Sequence, residues 1–227
     1  MTQEPAGEPS PKNSDQAVEA LELPMFPLGS VLLPGMGLPL HLFEPRYRVM
    51  MHDLQQSNAQ EFGVVLIERG SEVGGGDTRG QVGCRAVIAQ AEEQPDGSWF
   101  LVAVGTERIR LLDWLPEDPY PRASVASWPD ERTDQQLDQA VIEGAERLAR
   151  RVAALAVEMG AQGLLADAQL SADPSSRLYE LATMAPLGAL DRSRLLCTPD
   201  VPTRFELLVA MLEEQELLLQ ARLTFGD

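Results

Sequence analysis

The chain has 227 residues, enough for one large domain or two small packed lobes, and its 44% apolar fraction is ordinary for a globular protein. Its formal net charge of −17 opposes a general nucleic-acid or anionic-membrane binder, which needs a basic face. Lys12 is the single lysine beside seventeen arginines, so the chain contains no G-x-x-x-x-G-K-[ST] phosphate loop.

Residues 1–20 are polar and rich in Pro, Glu and Ser, and are expected to form a disordered tail. Residues 23–47 then carry Pro24, Pro27, Pro34, Pro39 and Pro45 between short apolar runs. Proline has no backbone donor, so this pattern predicts two short bent strands, 23–28 and 36–43, at an edge or a bulge. Gly29-Ser30 and Pro34-Gly35 supply the turns. Glu44-Pro45 opens a helix to about residue 57, with Tyr47, Met50 or Met51, and Leu54 facing inward. A β-branched run at 62–68 reads as a strand, and 69–81 as a Gly-rich connection. Further strands are predicted at 83–91, 99–104, 108–114 and 122–128, with a hairpin turn at Pro95-Asp96-Gly97 and a break at Gly105. Arg108 and Arg110 alternate with Ile109 and Leu111, the period of a half-exposed strand. This many short strands suggests a small barrel or sandwich.

The pattern turns helical after a charged linker at 129–132. Thr133 and Gln136 have capping-box spacing ahead of a helix whose stripe is Leu137, Val141, Leu148, Val152, Leu155 and Met159, with Gly160 as its stop. Asp173-Pro174 caps a second helix carrying Leu178, Leu181 and Ala182. A short helix holds Leu190, Leu195 and Leu196. Thr198-Pro199 caps the last, with Val201, Phe205, Leu208, Leu212 and Leu219 on one face. The expected organisation is a tail at 1–20, a β-rich lobe at 21–128 and a helical lobe at 129–227.

The stretch MFPLGSVLLPGMGLPLHLFEPRYRVM, with its FPL, VLLPG and LPLHLFEPRY pieces, resembles the opening of the Lon protease N-terminal, or substrate-binding, domain. Val82-Gly83-Cys84-Arg85-Ala86, Asp96-Gly97-Ser98-Trp99 and Val104-Gly105-Thr106-Glu107-Arg108 fit the same family, and the resemblance extends over roughly residues 21–220. It implies an α+β fold: a PUA-like β pseudo-barrel followed by a C-terminal helical bundle. Lon proteases also carry an ATPase and a Ser–Lys catalytic dyad. Lys12 lies outside the matching region, so the resemblance transfers a stand-alone recognition domain and not the protease. It implies a non-catalytic module, without cofactor, that binds exposed or unfolded polypeptide or a partner protein. A PUA-like RNA-binding module is the first alternative. The net charge and missing lysines oppose it, while an arginine stripe of Arg108, Arg110 and Arg122 favours it. A small-molecule enzyme without a recognisable motif is the second.

Cys84 and Cys197 show no C-x-x-C spacing and suit a reducing compartment. No secretory signal opens the chain, and no apolar run approaches the ~20 residues of a membrane span. A cytoplasmic protein is expected. His41 and His52 are the only histidines, and with the cysteines they lack ligand-like spacing. No G-x-S-x-G elbow is present, although a Ser–His–Asp set can converge in space. Six residues are candidates for binding peptide. Glu44, Arg46 and Arg108 either form internal Glu–Arg bridges or offer a guanidinium fork to a peptide carbonyl or carboxylate. Phe26, Met36 and Leu38 either fill the barrel or line an apolar groove.

Overall fold

The computed structural model describes residues 19–70, 78–132, 137–161 and 169–225. Lys12 and nearly all of the expected tail lie outside these residues, as do the triple glycine at 74–76, Thr133 and Gln136. The β-rich part comprises β1 (Ala20–Leu28), β2 (Gly37–Leu42), α1 (Pro45–Gln56), β3 (Glu61–Arg69), β4 (Thr78–Glu93), β5 (Trp99–Trp114) and β6 (Arg122–Ser127). Four helices follow: α2 (Gln139–Glu158), α3 (Pro174–Met184), α4 (Ala189–Cys197) and α5 (Val201–Phe225). The fold is α+β with a C-terminal helical part.

The six strands form one sheet in the order β2-β5-β4-β3-β1-β6, and β6 returns to pair with β5. β5 makes this possible because it is 16 residues long. Its first half pairs with β2, from Trp99 to Val104, and its second half with β6, from Ile109 to Trp114. Register shifts at Arg85/Ala86 and Ile88/Gln90 bend the β4–β5 ribbon between the halves, as bulges do. The sheet therefore closes on itself at β6 and leaves β2 at a free edge. The expected break at Gly105 is not present. The strand runs through it because Gly105 is a point of close approach: a Cβ there would collide with the Leu33 carbonyl and meet Cys84 Sγ at 3.0 Å.

Two clusters fill the barrel. Phe26, Leu38, Leu42, Phe62, Trp99 and Leu101 pack under Tyr47, Met50, Met51 and Leu54 of α1. Met25, Val65, Ile109, Leu111 and Val125 fill the other end. A third cluster joins Val31, Leu33 and Leu66 to the helices through Leu148, Val152, Phe205 and Leu208.

Two helix starts differ from the sequence reading, while the Asp173 cap is as expected. Asp138 caps α2 by accepting from Ala140 N at 2.9 Å, so the helix opens after the expected capping box. Its buried face is Ile142, Ala145, Leu148, Ala149, Val152, Ala153 and Ala156, whereas Val141 is exposed. The expected stripe followed bulk; the small alanines are what let α5 approach. Asp173 caps α3, accepting from Ser176 N at 2.8 Å. α5 is capped by Asp200, which accepts from Thr203 N at 2.9 Å, rather than by Thr198-Pro199. Leu190 is 73% exposed and contributes nothing to the core.

Candidate functional site

β2 has one strand partner in the sheet, β5. Met36 O accepts from Gly105 N at 3.0 Å, which sets the parity of the ladder. Main-chain groups alternate in direction along a strand, so those of Pro39 and His41 turn away from β5. Proline is tolerated at Pro39 for this reason, since its missing N–H falls on the unpaired side. Across a seam from β2 lies the end of β1. β1 pairs with β6 only as far as Pro24, and its last residues pair with β3 alone. A cavity of about 120 Å³ occupies the seam, lined by Phe26, Pro27 and Leu28 of β1, by Leu40 to Leu42 of β2, and by Phe43, Glu44 and Tyr47.

The outward face beside this edge is apolar along β5 and flanked by polar residues of β4. His41, Phe100 and Glu92 are direct cross-strand partners in a row over β2, β5 and β4, and Pro39, Val102 and Gln90 form the next row. The His41 and Phe100 rings stack with centroids 4.3 Å apart and planes 13° from parallel. Phe43 is 54% exposed, Phe100 50% and Val102 39%. Both rows floor an open cavity of about 640 Å³.

His41 Nε2 lies 3.2 Å from Ser98 Oγ, and Ser98 Oγ donates to Asp96 Oδ1 at 2.7 Å. The aspartate thus binds the serine and not the histidine, so the three do not stand in the order of a nucleophilic triad. Hydrogen bonds from the Ser98 side chain and backbone lower the Asp96 carboxyl below its usual value. The set is a turn lock at the start of β5. Among the described residues, no group of three or more His, Cys, Asp or Glu side chains is placed to hold a metal.

The six residues singled out from sequence do not converge. Phe26 and Leu38 are buried in the barrel cluster. Met36 is half-buried between two clusters, its sulfur 3.9 Å from Arg192 Nη1. Arg46 Nε bridges to Glu44 Oε2 at 3.1 Å and Arg46 Nη1 to Glu117 Oε1 at 3.0 Å, which fixes the corner where β2 enters α1.

Arg108 is 4% exposed, not the half-exposed residue its alternation suggested. Its fork does receive peptide carbonyls, but they are those of its own chain: Leu196 O at 3.1 Å, Thr198 O at 2.7 Å, and Pro129 O and Pro199 O at 3.2 Å. The arginine stripe is broken here, since Arg108 is internal and Arg122 pairs with Glu22 at 2.9 Å.

Arg108 also meets Asp130 at 2.8 Å, and Asp130 takes Arg204 Nη2 at 2.7 Å and Ser175 Oγ at 2.6 Å. One carboxylate thus joins a strand, a linker and two helices. Burial pushes the Asp130 carboxyl up, but hydrogen bonds from Arg204 and Ser175 and the charges of both arginines outweigh it and hold it below its usual value. Burial lowers the Arg108 guanidinium and pushes the neighbouring Tyr179 phenol up to about 12.

The exposed face was missed because Phe100-Leu101-Val102-Ala103-Val104 is apolar at every position and reads as a strand buried on both sides. Only the sheet order shows that one side is bare.

A family model described as the ATP-dependent protease La (LON) substrate-binding domain matches residues 22–214. The chain is 29% identical over 202 residues to Lon protease 2 of Herpetosiphon aurantiacus, covering 88% of this chain and 24% of that protein. It is 26% identical over 211 residues to the Lon protease of Koribacter versatilis, covering 86% and 24%. The chain therefore spans about a quarter of the length of these relatives. A Lon N-terminal domain protein from Xanthomonas campestris superposes with a TM-score of 0.61 at 27% identity, covering 84% of this chain and 98% of that one. The N-terminal domain of the Mycobacterium avium complex Lon protease shares the fold with a TM-score of 0.60 at 19% identity, covering 85% and 98%. With the strands, the helical part and the sequence match in agreement, the chain belongs to the Lon substrate-binding domain family.

Proposed function

We propose that this chain is a non-catalytic, cytoplasmic recognition module that binds exposed or unfolded polypeptide, or an extended segment of a partner protein, along β2. The observation that carries the reading is the free edge of β2 beside the bare apolar rows of the sheet. An extended segment laid on that edge gains main-chain hydrogen bonds at Pro39 O and at both polar groups of His41. Its alternate side chains point to the two cavities on either side of the edge. Such a contact is small, and its affinity is on the order of micromolar. The apolar contacts make it tolerant of sequence, as a recogniser of unfolded chains needs to be.

The test is fluorescence polarisation with a labelled extended apolar peptide and with the same peptide N-methylated at alternate residues. Strand addition predicts that methylation in one register abolishes binding and in the other leaves it, because only one set of N–H groups faces β2. Equal affinity for all three peptides would show that the main chain is not read. No binding by any would remove the β2 edge as the site.

A further inference from the structure

The apolar rows carry a feature that simple apolar recognition does not require. The His41 and Phe100 rings face each other, so one face of Phe100 is covered and the other is turned along the row toward β4. The cross-strand partner on that side is Glu92, which is exposed. Its carboxylate has no ion-pair or hydrogen-bond partner among the described residues. Glu93 beside it is exposed as well. Arg48, which reaches the turn between β4 and β5, is held by Phe43 O and Asp96 O, both at 2.9 Å. An aromatic face and an uncompensated carboxylate thus stand side by side across neighbouring strands, in a protein of net charge −17.

We propose that the His41–Phe100–Glu92 row is a subsite for an arginine or lysine side chain of the bound polypeptide. This rests on the polypeptide reading above and names the class of sequence that the site selects. The basic residue comes from the part of the polypeptide that runs off the β2 edge across the outer face, because a strand added to β2 stands three strand spacings, about 14 Å, from β4. The cation sits between the free face of Phe100 and the Glu92 carboxylate. The ring quadrupole attracts it from one side and the carboxylate accepts its N–H groups from the other. Arginine suits the slot better than lysine, because a planar guanidinium stacks on the ring while its edge reaches the carboxylate. The next row, Pro39–Val102–Gln90, is apolar in the middle and takes an uncharged side chain of the same polypeptide. The preferred polypeptide therefore carries a basic residue close to a large apolar one, and the acidic field of the whole protein assists its approach.

The test uses the full chain and labelled extended peptides identical except at one central residue, which is Arg, Lys, Leu or Glu. The expected order is Arg, Lys, Leu, Glu, with Arg about tenfold tighter than Leu in low salt and the gap narrowing as salt is raised. Glu92→Gln should collapse the Arg-to-Leu ratio toward one, and Phe100→Leu, which keeps apolar area but removes the ring, should reduce it several-fold. Circular dichroism melts confirm that both variants are folded. Equal binding of the Arg and Leu peptides to wild type overturns the subsite while leaving the recognition module standing. So does an Arg preference that survives both substitutions. If no peptide binds wild type, the module reading falls and takes the subsite with it.

Discussion

Asp130→Asn is the sharpest probe of how the strands and helices are held together. It removes one negative charge from a carboxylate whose side chain is 16% exposed, between Arg108 at 3% and Arg204 at 0%. The amide keeps an acceptor for one guanidinium but leaves two buried cations without their ion-pair partner, with only the more distant Asp200 and Glu131 charges beside them. Breaking a buried pair in this way costs about 3–5 kcal/mol, most of it the desolvated charge left behind. Two cations share the loss here, while the carbonyls around Arg108 soften it, so about 3 kcal/mol is expected. For a chain of this size that lowers Tm by roughly 10 °C. The pH dependence carries a definite sign. The folded-state Asp130 value lies below its ordinary one, so its contribution is fully present above the unfolded value of about 3.9 and is lost as pH falls through the folded value. Urea melts of wild type and variant from pH 7 down to about 3 measure both effects. The gap should be widest near neutrality and shrink below about pH 4. A variant that melts within about 1 kcal/mol of wild type at pH 7 would refute the account, as would a gap that widens on acidification.

Arg204→Met should cost less than Asp130→Asn, because Arg204 Nε and Nη1 already lack partners and a buried apolar side chain needs none; the same melts decide it. Leu38→Asp should destabilise by about 3 kcal/mol or more, since it drives a charge into the barrel cluster, whereas Val102→Ser on the bare face should shift Tm by no more than a few degrees. Thiol labelling of the native protein at pH 8 should modify exposed Cys197 and spare Cys84, whose thiol burial pushes up to about 12; prompt labelling of both without denaturant would show that β4 opens.

Much of the fold was legible because local chemistry and the family resemblance agree. Pro45 at a helix start, the Asp96-Gly97 turn and the stop at Gly160, whose φ is +88°, are backbone requirements that sequence states directly. The site was less legible, for two physical reasons. Apolar residues on a bare sheet face are the same residue types as those in a core, so nothing in the sequence sets Phe100 and Val102 apart from buried strand residues, and Phe26 and Leu38 could have been either. Charge was equally ambiguous: Arg108 looked like a surface residue because alternation reports which side of a strand a residue is on, not what covers that side. The helices that cover it lie some ninety residues further along the chain.

The position of Arg108 has a consequence for the order in which the molecule can form. The acceptors of its guanidinium include Leu196 O, Thr198 O and Pro199 O, and Arg108 is synthesised some ninety residues before they exist. A nascent chain that has just completed β6 can pair its strands, yet it must hold a cation at the end of that barrel against open water and an uncovered Leu33 and Leu66. The strands are then a platform awaiting the helices rather than a finished unit. The helical-part carbonyls that receive Arg108 come only with the last sixth of the sequence. A pause or premature stop between residues 128 and 196 would leave on the ribosome a species with an uncovered apolar face and a free β2 edge together.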